Sequence, residues 1–571
     1  MMPPMKSACA IATAILIATS TARLTPSTFA RPSTDRATAD RSRYVLEPVR
    51  DDVQASGQSA GYADLVSLFA DWRAFQKPKV VDGVPDYTAA AMAAQQRGLP
   101  AYQRRLAALK ADSWPVSQQV DWHIVRAEMN GLDFDHRVIR PWANNPAFYV
   151  SVFPDQSDQP AREGHFAYGG VELWSYGFPL NAERTERLAA GIRAIPKLLE
   201  QAKRNLVGDK ADLWIFGTRS IKEQSADLER LASRVAGAQG SLKADVQRAK
   251  EATDAFAAWL DAQAPSKRAP SGVGVENYNW YLKNVQLVPY TWQDEVTITE
   301  RELARAHAFL ALEERRNAAL PVQVPIANAD DFNRKFSESV TQYMSFLEDH
   351  DIMTVRDYME PALRARIGTF AAGPREFFSE VDYRDREIML THDYHWFDLA
   401  QMAKDPHRTP IRRGALLYNM FITRTEGHAT GWEEMMLQAG MFDARPRSRE
   451  LIYVLLGQRA ARALGDLRMH ANQFSLEDAA KFASANTPRG WLRLDANTVR
   501  GEQHLYLMQP AYGTSYIIGK IQIEGVLAAR KRQLGDRFTM KRFMDEFNAV
   551  GLIPASLVHW EMTGESPVKN R

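Results

Sequence analysis

From Gly61 onward the chain repeats one pattern of apolar and polar positions. Tyr62, Leu65, Phe69, Trp72 and Phe75 recur at spacings of three and four, which places them on one stripe of an amphipathic helix. Leu188, Ile192, Ile195 and Leu199 repeat that spacing, as do Leu303, Ala306 and Leu310, and again Leu451, Val454 and Leu455. Strand-like alternation is scarce, and the stretch from Tyr278 to Val288 is its best candidate. The pattern predicts an all-α fold with at most a small sheet. Loops bearing Pro and Gly near Ala264–Gly274 and Pro321–Ala329 read as hinges. They divide the chain into an N-terminal helical lobe, residues 59–330, and a C-terminal helical lobe, residues 331–571, around a central cleft.

Upstream of residue 61 the pattern differs. Lys6 precedes an apolar stretch from Ala8 to Ala18, and small residues follow; Ser20 with Ala22, or Thr28 with Ala30, forms a small-x-small cleavage site. The apolar run is shorter than the about 20 residues needed to cross a bilayer, so residues 1–30 read as a cleaved signal peptide. Residues 31–58 are rich in Arg, Ser, Thr, Asp and Pro, lack an apolar period, and read as a disordered leader. The single cysteine, Cys9, leaves with the signal peptide. The mature chain is thus expected to have no disulfide, thiol nucleophile or cysteine–metal site. Export without disulfides points to a bacterial periplasm.

The 71 Lys and Arg residues are interspersed with 69 Asp and Glu, which creates no steering field for nucleic acid or an anionic membrane. A small molecule or a peptide is the expected partner. Candidate chemistry concentrates in the C-terminal half, in four stretches that hold His392, His395 and Asp398; Glu426, His428 and Glu433; His470; and His504, Tyr512, Tyr516 and Lys520. On a helix, Glu426 and Glu433 lie seven residues apart and share a face, with the small Ala429 and Thr430 between them. Such a pair suits a metal or its outer shell, or else a solvated acidic face; Trp432, Met435 and Met436 nearby favour burial.

Three ordered motifs in this half resemble a known family. Glu426-Gly427-His428 through Glu433, then Gly440-Met441-Phe442-Asp443, fits a frame of E-G-W-A-L-Y-A-E followed by G-x-Y-D. Asp466, His470 and Ser475 match D-x-x-x-H-x-x-x-x-S, and Pro510, Ser515, Tyr516, Gly519 and Lys520 match P-x-x-x-x-S-Y-x-x-G-K. These are similar to the motifs of the bacterial domain-of-unknown-function family 885, whose members resemble gluzincin zinc peptidases. The N-terminal half agrees more loosely, at FADWRAF, GVPDY and Tyr278–Tyr281. The resemblance implies a gluzincin-like scaffold, with zinc held by histidines of an H-E-x-x-P-G-H-H element and by the downstream Glu, and with the adjacent Glu activating water. Here that element reads His392-Asp393-Tyr394-His395-Trp396-Phe397-Asp398-Leu399. His392 and Glu426 are kept, Asp393 replaces the base, Trp396-Phe397 replaces Pro-Gly, and Asp398 stands where the second histidine belongs. His395 offers an imidazole in a shifted register, and loss of Pro-Gly predicts a more regular helix.

Three functions follow. The first is acid–base chemistry without a tightly bound metal, a lyase or hydrolase reaction on a small molecule, aromatic compounds included. It would use His392, Asp393, His395, Glu426, His470, His504, Tyr516 and Lys520. The second is a periplasmic metal-dependent peptidase or hydrolase with His392, Glu426 and either Asp398 or His395 as zinc ligands. The third is a binding protein without catalysis. The cofactor expected is accordingly none or zinc.

The export reading makes a direct prediction. Protein recovered from the periplasm of a bacterial host should begin near residue 23 or 31 by intact mass, and its denatured form should titrate to zero thiols. A retained Met1 or a titratable Cys9 would contradict it.

Overall fold

The helical stripes become buried faces. The computed structural model describes residues 61–237 and 240–566; the expected signal peptide and leader lie outside them. Among the described residues, helices dominate, and the only sheets are two-stranded. Helix Tyr62–Phe75 buries Tyr62, Leu65, Phe69 and Trp72, as its spacing predicts. Helix Ala182–Asn205 buries Leu188, Ile192, Ile195 and Leu199, and packs with helices Ala211–Arg234 and Leu242–Gln263 around one apolar core. A larger core runs across residue 330, joining Leu65, Ile124 and Leu310 to Ile388, Trp432 and Ile523. No helix among the described residues is long and apolar enough to cross a membrane.

The strand expected over Tyr278–Val288 is instead helical: an α-helix spans Val275–Tyr281 and a π-helical turn spans Leu282–Gln286. The buried residues there are Tyr278, Tyr281, Leu282, Val285 and Gln286, mostly at helical spacing. Aromatic and β-branched side chains favour strands through packing rather than backbone preference, and here helical neighbours supply that packing. One small sheet pairs Val80–Val81 with Val84–Pro85 in antiparallel register. The other pairs Val152–Phe153 with Val171–Glu172 in parallel, closing the loop of residues 154–170 whose side chains reach the site described below.

Three helices frame that site. Helix Pro446–His470 is buried along almost its whole length, its charged Arg459, Arg462 and Asp466 included. Helices Ile422–Gln438 and Tyr512–Leu534 cross at Gly427 and Gly519. A Cβ added to Gly427 would lie closer than 3.0 Å to the Gly519 backbone, and one at Gly519 would meet the Thr423 carbonyl as closely. Asp466, on the buried central helix, accepts a 2.8 Å hydrogen bond from the Gly513 amide. It therefore caps the positive end of helix Tyr512–Leu534.

The glycine crossing predicts that Gly519→Ala is disruptive although alanine favours helix. Overpacking of a tight contact costs about 1–3 kcal/mol, which urea denaturation should read as a lower midpoint. Gly525, where an added Cβ meets nothing within 4 Å, is the control; Gly525→Ala should be neutral or stabilising. Equal behaviour of the two variants would show that the close approach does not limit stability.

Candidate active site

The chain turns at Asp393, so the HDYHWFDL element is not one regular helix. Helix Arg386–His392 ends there and helix Tyr394–Lys404 begins, with Asp393 held 2.7 Å from Arg386. The turn presents His392 and His395 to Glu426 on helix Ile422–Gln438. The His395 Nε2 lies 3.3 Å, and the His392 Nε2 3.8 Å, from the same Glu426 oxygen, Oε2. The other oxygen, Oε1, accepts hydrogen bonds from the hydroxyls of Tyr512 (2.7 Å) and Tyr516 (3.0 Å) and from Gln159 Nε2 (3.1 Å). Glu426 and His395 are 3 % and 1 % exposed, so their charges are poorly screened by solvent.

The shared face suggested for Glu426 and Glu433 is used on both sides of one ring. Glu433 Oε1 lies 3.2 Å from His392 Nδ1, opposite the nitrogen that faces Glu426. Arg459 Nη1 holds the other Glu433 oxygen at 2.7 Å, and its Nη2 stands 3.1 Å from Nδ1. Burial, with the charges of Arg459 and His395, keeps His392 neutral well below the usual imidazole range. Arg459 Nη2 can only donate, so Nδ1 accepts from it and the single proton of neutral His392 sits on Nε2, facing Glu426; a cation at Nε2 would replace that proton.

Electrostatics separates the remaining groups. Burial opposes charge on both Glu426 and His395, but each outweighs that penalty for the other. Glu426 is held down at about 2 and His395, helped by Asp158, is lifted to about 9. Burial raises Glu433 and Asp158 to about 7 each. Neutral and charged carboxyls thus lie side by side near neutral pH.

These positions suit a cation. His392, His395 and Glu426 each offer an atom within 4.8 Å of the others. Tetrahedral zinc, with bonds of about 2.0–2.2 Å, sets its ligand atoms about 3.4 Å apart; the two approaches to Glu426 Oε2, 3.3 and 3.8 Å, bracket that edge. Glu426 Oε2 and His395 Nε2 are buried, and neither makes an aligned hydrogen bond. Buried polar atoms ordinarily find partners, so the donor set fits a divalent metal with two nitrogens and one oxygen.

Other sequence candidates lie elsewhere. Asp398 pairs with Arg424 at 3.2 Å and stands outside the cation-binding group, because a buried carboxylate takes the nearest guanidinium. Asp393 is occupied by Arg386. His470 contacts the Tyr506 carbonyl at 3.0 Å and packs by the Tyr278 ring, while His504 packs by Phe216. Burial holds both below their ordinary range, near 4. Lys520 pairs with Glu434 and Glu524 and borders a cavity of about 660 Å³ whose lining includes none of the cluster. Phe397 packs in the core beside Tyr343, and Trp396 lies under Arg366. The motif residues Asp466 and Ser475 are helix caps.

Gln159, Asp158, Arg459 and Arg462 join the site only through the fold. Arg459 and Arg462 carried a signal: two cations, three residues apart, inside the apolar run LIYVLLGQRAARAL. Gln159 and Asp158 carried none, since a loop of residues 154–170 has no period.

Residues 75–395 and 353–562 match the family model described as bacterial protein of unknown function (DUF885). No curated protein matches the chain. Two solved structures share the fold. One, a "putative lipoprotein of unknown function from Shewanella oneidensis", has a TM-score of 0.65 at 16% identity, covering 88% of this chain and 100% of its own. The other, described as a "putative lipoprotein from Colwellia psychrerythraea", has a TM-score of 0.57 at 14% identity, covering 88% and 98%.

The His395–Glu426 pair predicts a pH window for the metal-free protein. The His395 value is raised above 6.5, so its contribution to stability is complete below about pH 6.5 and lost as pH rises through 9. The Glu426 value is lowered from 4.5, so its contribution holds above that pH and is lost on acidification toward 2. Between pH 6.5 and 9.5 the melting temperature of chelated wild type should fall more than that of Glu426→Gln. Parallel curves would mean that the pair is not ionised as described.

Proposed function

We propose that this chain, which belongs to the DUF885 family of bacterial proteins, is an exported hydrolase centred on a divalent metal held by His392, His395 and Glu426. The observation that carries the reading is the convergence of His392 Nε2, His395 Nε2 and Glu426 Oε2. His395 thereby takes the part that the resemblance gives to the second histidine, which Asp398 does not fill. The N-terminal signal pattern supports export, as do the descriptions of the two structural neighbours.

Each neighbouring residue has a task in this reading. Arg459 donates to His392 Nδ1 and fixes its ring, while Glu433 holds Arg459 in place. Tyr512, Tyr516 and Gln159 occupy Glu426 Oε1 and so leave Oε2 for the cation. A zinc ion bound there supplies Lewis-acid polarisation and activation of water. Asp158, near 7, takes or returns a proton at neutral pH. A second reading, metal-free acid–base catalysis, draws on the His395–Glu426 ion pair and the two tyrosine hydroxyls bonded to it.

Metal analysis separates the two. Protein purified without chelator should hold about one zinc per chain by elemental analysis. His392→Ala, His395→Ala and Glu426→Ala should each remove it. Glu433→Gln should weaken metal binding by about 10- to 100-fold. Hydrolysis should stop on chelation and return with zinc. If chelation leaves the rate unchanged while Tyr516→Phe lowers it by about 10²–10⁴, the metal-free reading replaces this one.

A further inference from the structure

Arg462 lies one helical turn beyond Arg459 and is 1 % exposed. Its Nη1 holds Glu502, whereas Nε and Nη2 are buried without hydrogen-bond partners. Those two groups form the side-on edge of the guanidinium, a pair of parallel N–H donors that matches a carboxylate. The rings of Tyr516, Tyr506 and Phe378 lie 5.1, 5.7 and 5.8 Å from the guanidinium carbon, which fixes its plane and excludes water. The Tyr506 hydroxyl is also buried without a partner. Glu502, 18 % exposed in its side chain, connects this corner to solvent.

The corner adjoins the metal-capable cluster. Tyr516 forms the wall between them: its hydroxyl bonds Glu426 and its ring flanks Arg462. Buried donors of this kind are costly unless something accepts from them. The acceptor that fits is a planar monoanion. Glu502 already offsets part of the Arg462 charge, and Glu426 is anionic close by, so a dianion would meet more repulsion than attraction.

We propose that Arg462 and Tyr506 form a carboxylate subsite, and that the substrate is an N-acyl amino acid or short peptide whose free carboxylate docks there. The acyl or peptide bond then extends past Tyr516 toward His392, His395 and Glu426. The subsite deepens the hydrolase reading and rests on it for the reacting bond; recognition of the acid stands on Arg462 and Tyr506 alone.

The test is calorimetric titration of the protein, as purified and after chelation, with N-benzoylglycine and with its amide. The acid should bind at least about 10-fold more tightly than the amide, the range expected for a charge-assisted bidentate contact. Arg462→Lys keeps the charge but has no fork, so it should abolish that preference while zinc content stays at the wild-type level. Tyr506→Phe, which removes only a hydroxyl, should reduce the preference severalfold and serves if Arg462→Lys does not fold. Equal binding of acid and amide, failure of the acid to bind at millimolar concentration, or a preference untouched by both substitutions would overturn the subsite. A preference lost on chelation but indifferent to Arg462→Lys would place the carboxylate on the metal, and overturns it too. A preference that survives chelation sustains the subsite; protein that shows it yet holds no zinc as purified sinks only the metal reading.

Discussion

The close approach of two helix backbones at Gly427 and Gly519 sets how Glu426 and Tyr516 meet in the site. Glu426 precedes one glycine, and Tyr516 lies one turn before the other. A hydroxyl on one helix can reach a carboxylate on its neighbour at 3.0 Å because no side chain separates the helices there. Wider spacing would cost Glu426 Oε1 its two tyrosine donors and leave Gln159 alone on it. The crossing is in turn fixed from outside. Asp466 holds the start of helix Tyr512–Leu534, and the Thr423 hydroxyl accepts the Ala555 amide from a further helix, Ala555–Thr563.

Burial then converts geometry into chemistry. Within a few ångströms the fold keeps His392 neutral, His395 charged in the absence of metal, Glu426 ionised, and Glu433 and Asp158 near 7. No single sign of charge wins, because Glu426 is paired with an imidazole and Glu433 with a guanidinium. Desolvation alone would discharge every one of these groups. The specific pairings decide which of them stay charged, and they depend on angstrom-scale placement along three helices and one loop.

The family-like motifs divide by role once the structure is considered. Asp466, His470 and Ser475 serve architecture: a cap, a bond to the Tyr506 carbonyl, and a second cap. Tyr516 and Glu426 serve the site, and Gly427 and Gly519 let those two meet. Lys520 belongs to an ion-pair group with Glu434 and Glu524. Motif residues spaced along one sequence therefore report the scaffold as often as the chemistry.

The sequence by itself determined the helical class and the stripes of helices Tyr62–Phe75 and Ala182–Asn205, and it marked His392, His395 and Glu426 among its candidate site residues. Those are local matters of period and residue type, and helices obey local rules. It also placed Glu426 and Glu433 on one face, since seven residues return a helix to the same side. It did not distinguish Asp398 from His395 as the third partner, because that choice was made by Arg424, on another helix. Nor did it reveal Gln159 or Asp158, which a loop brings to Glu426 from more than 260 residues away. Only the tertiary structure decided those contacts. A hydrogen bond or an ion pair depends on distance in space, and a chain's period carries no record of what its folded neighbours will be.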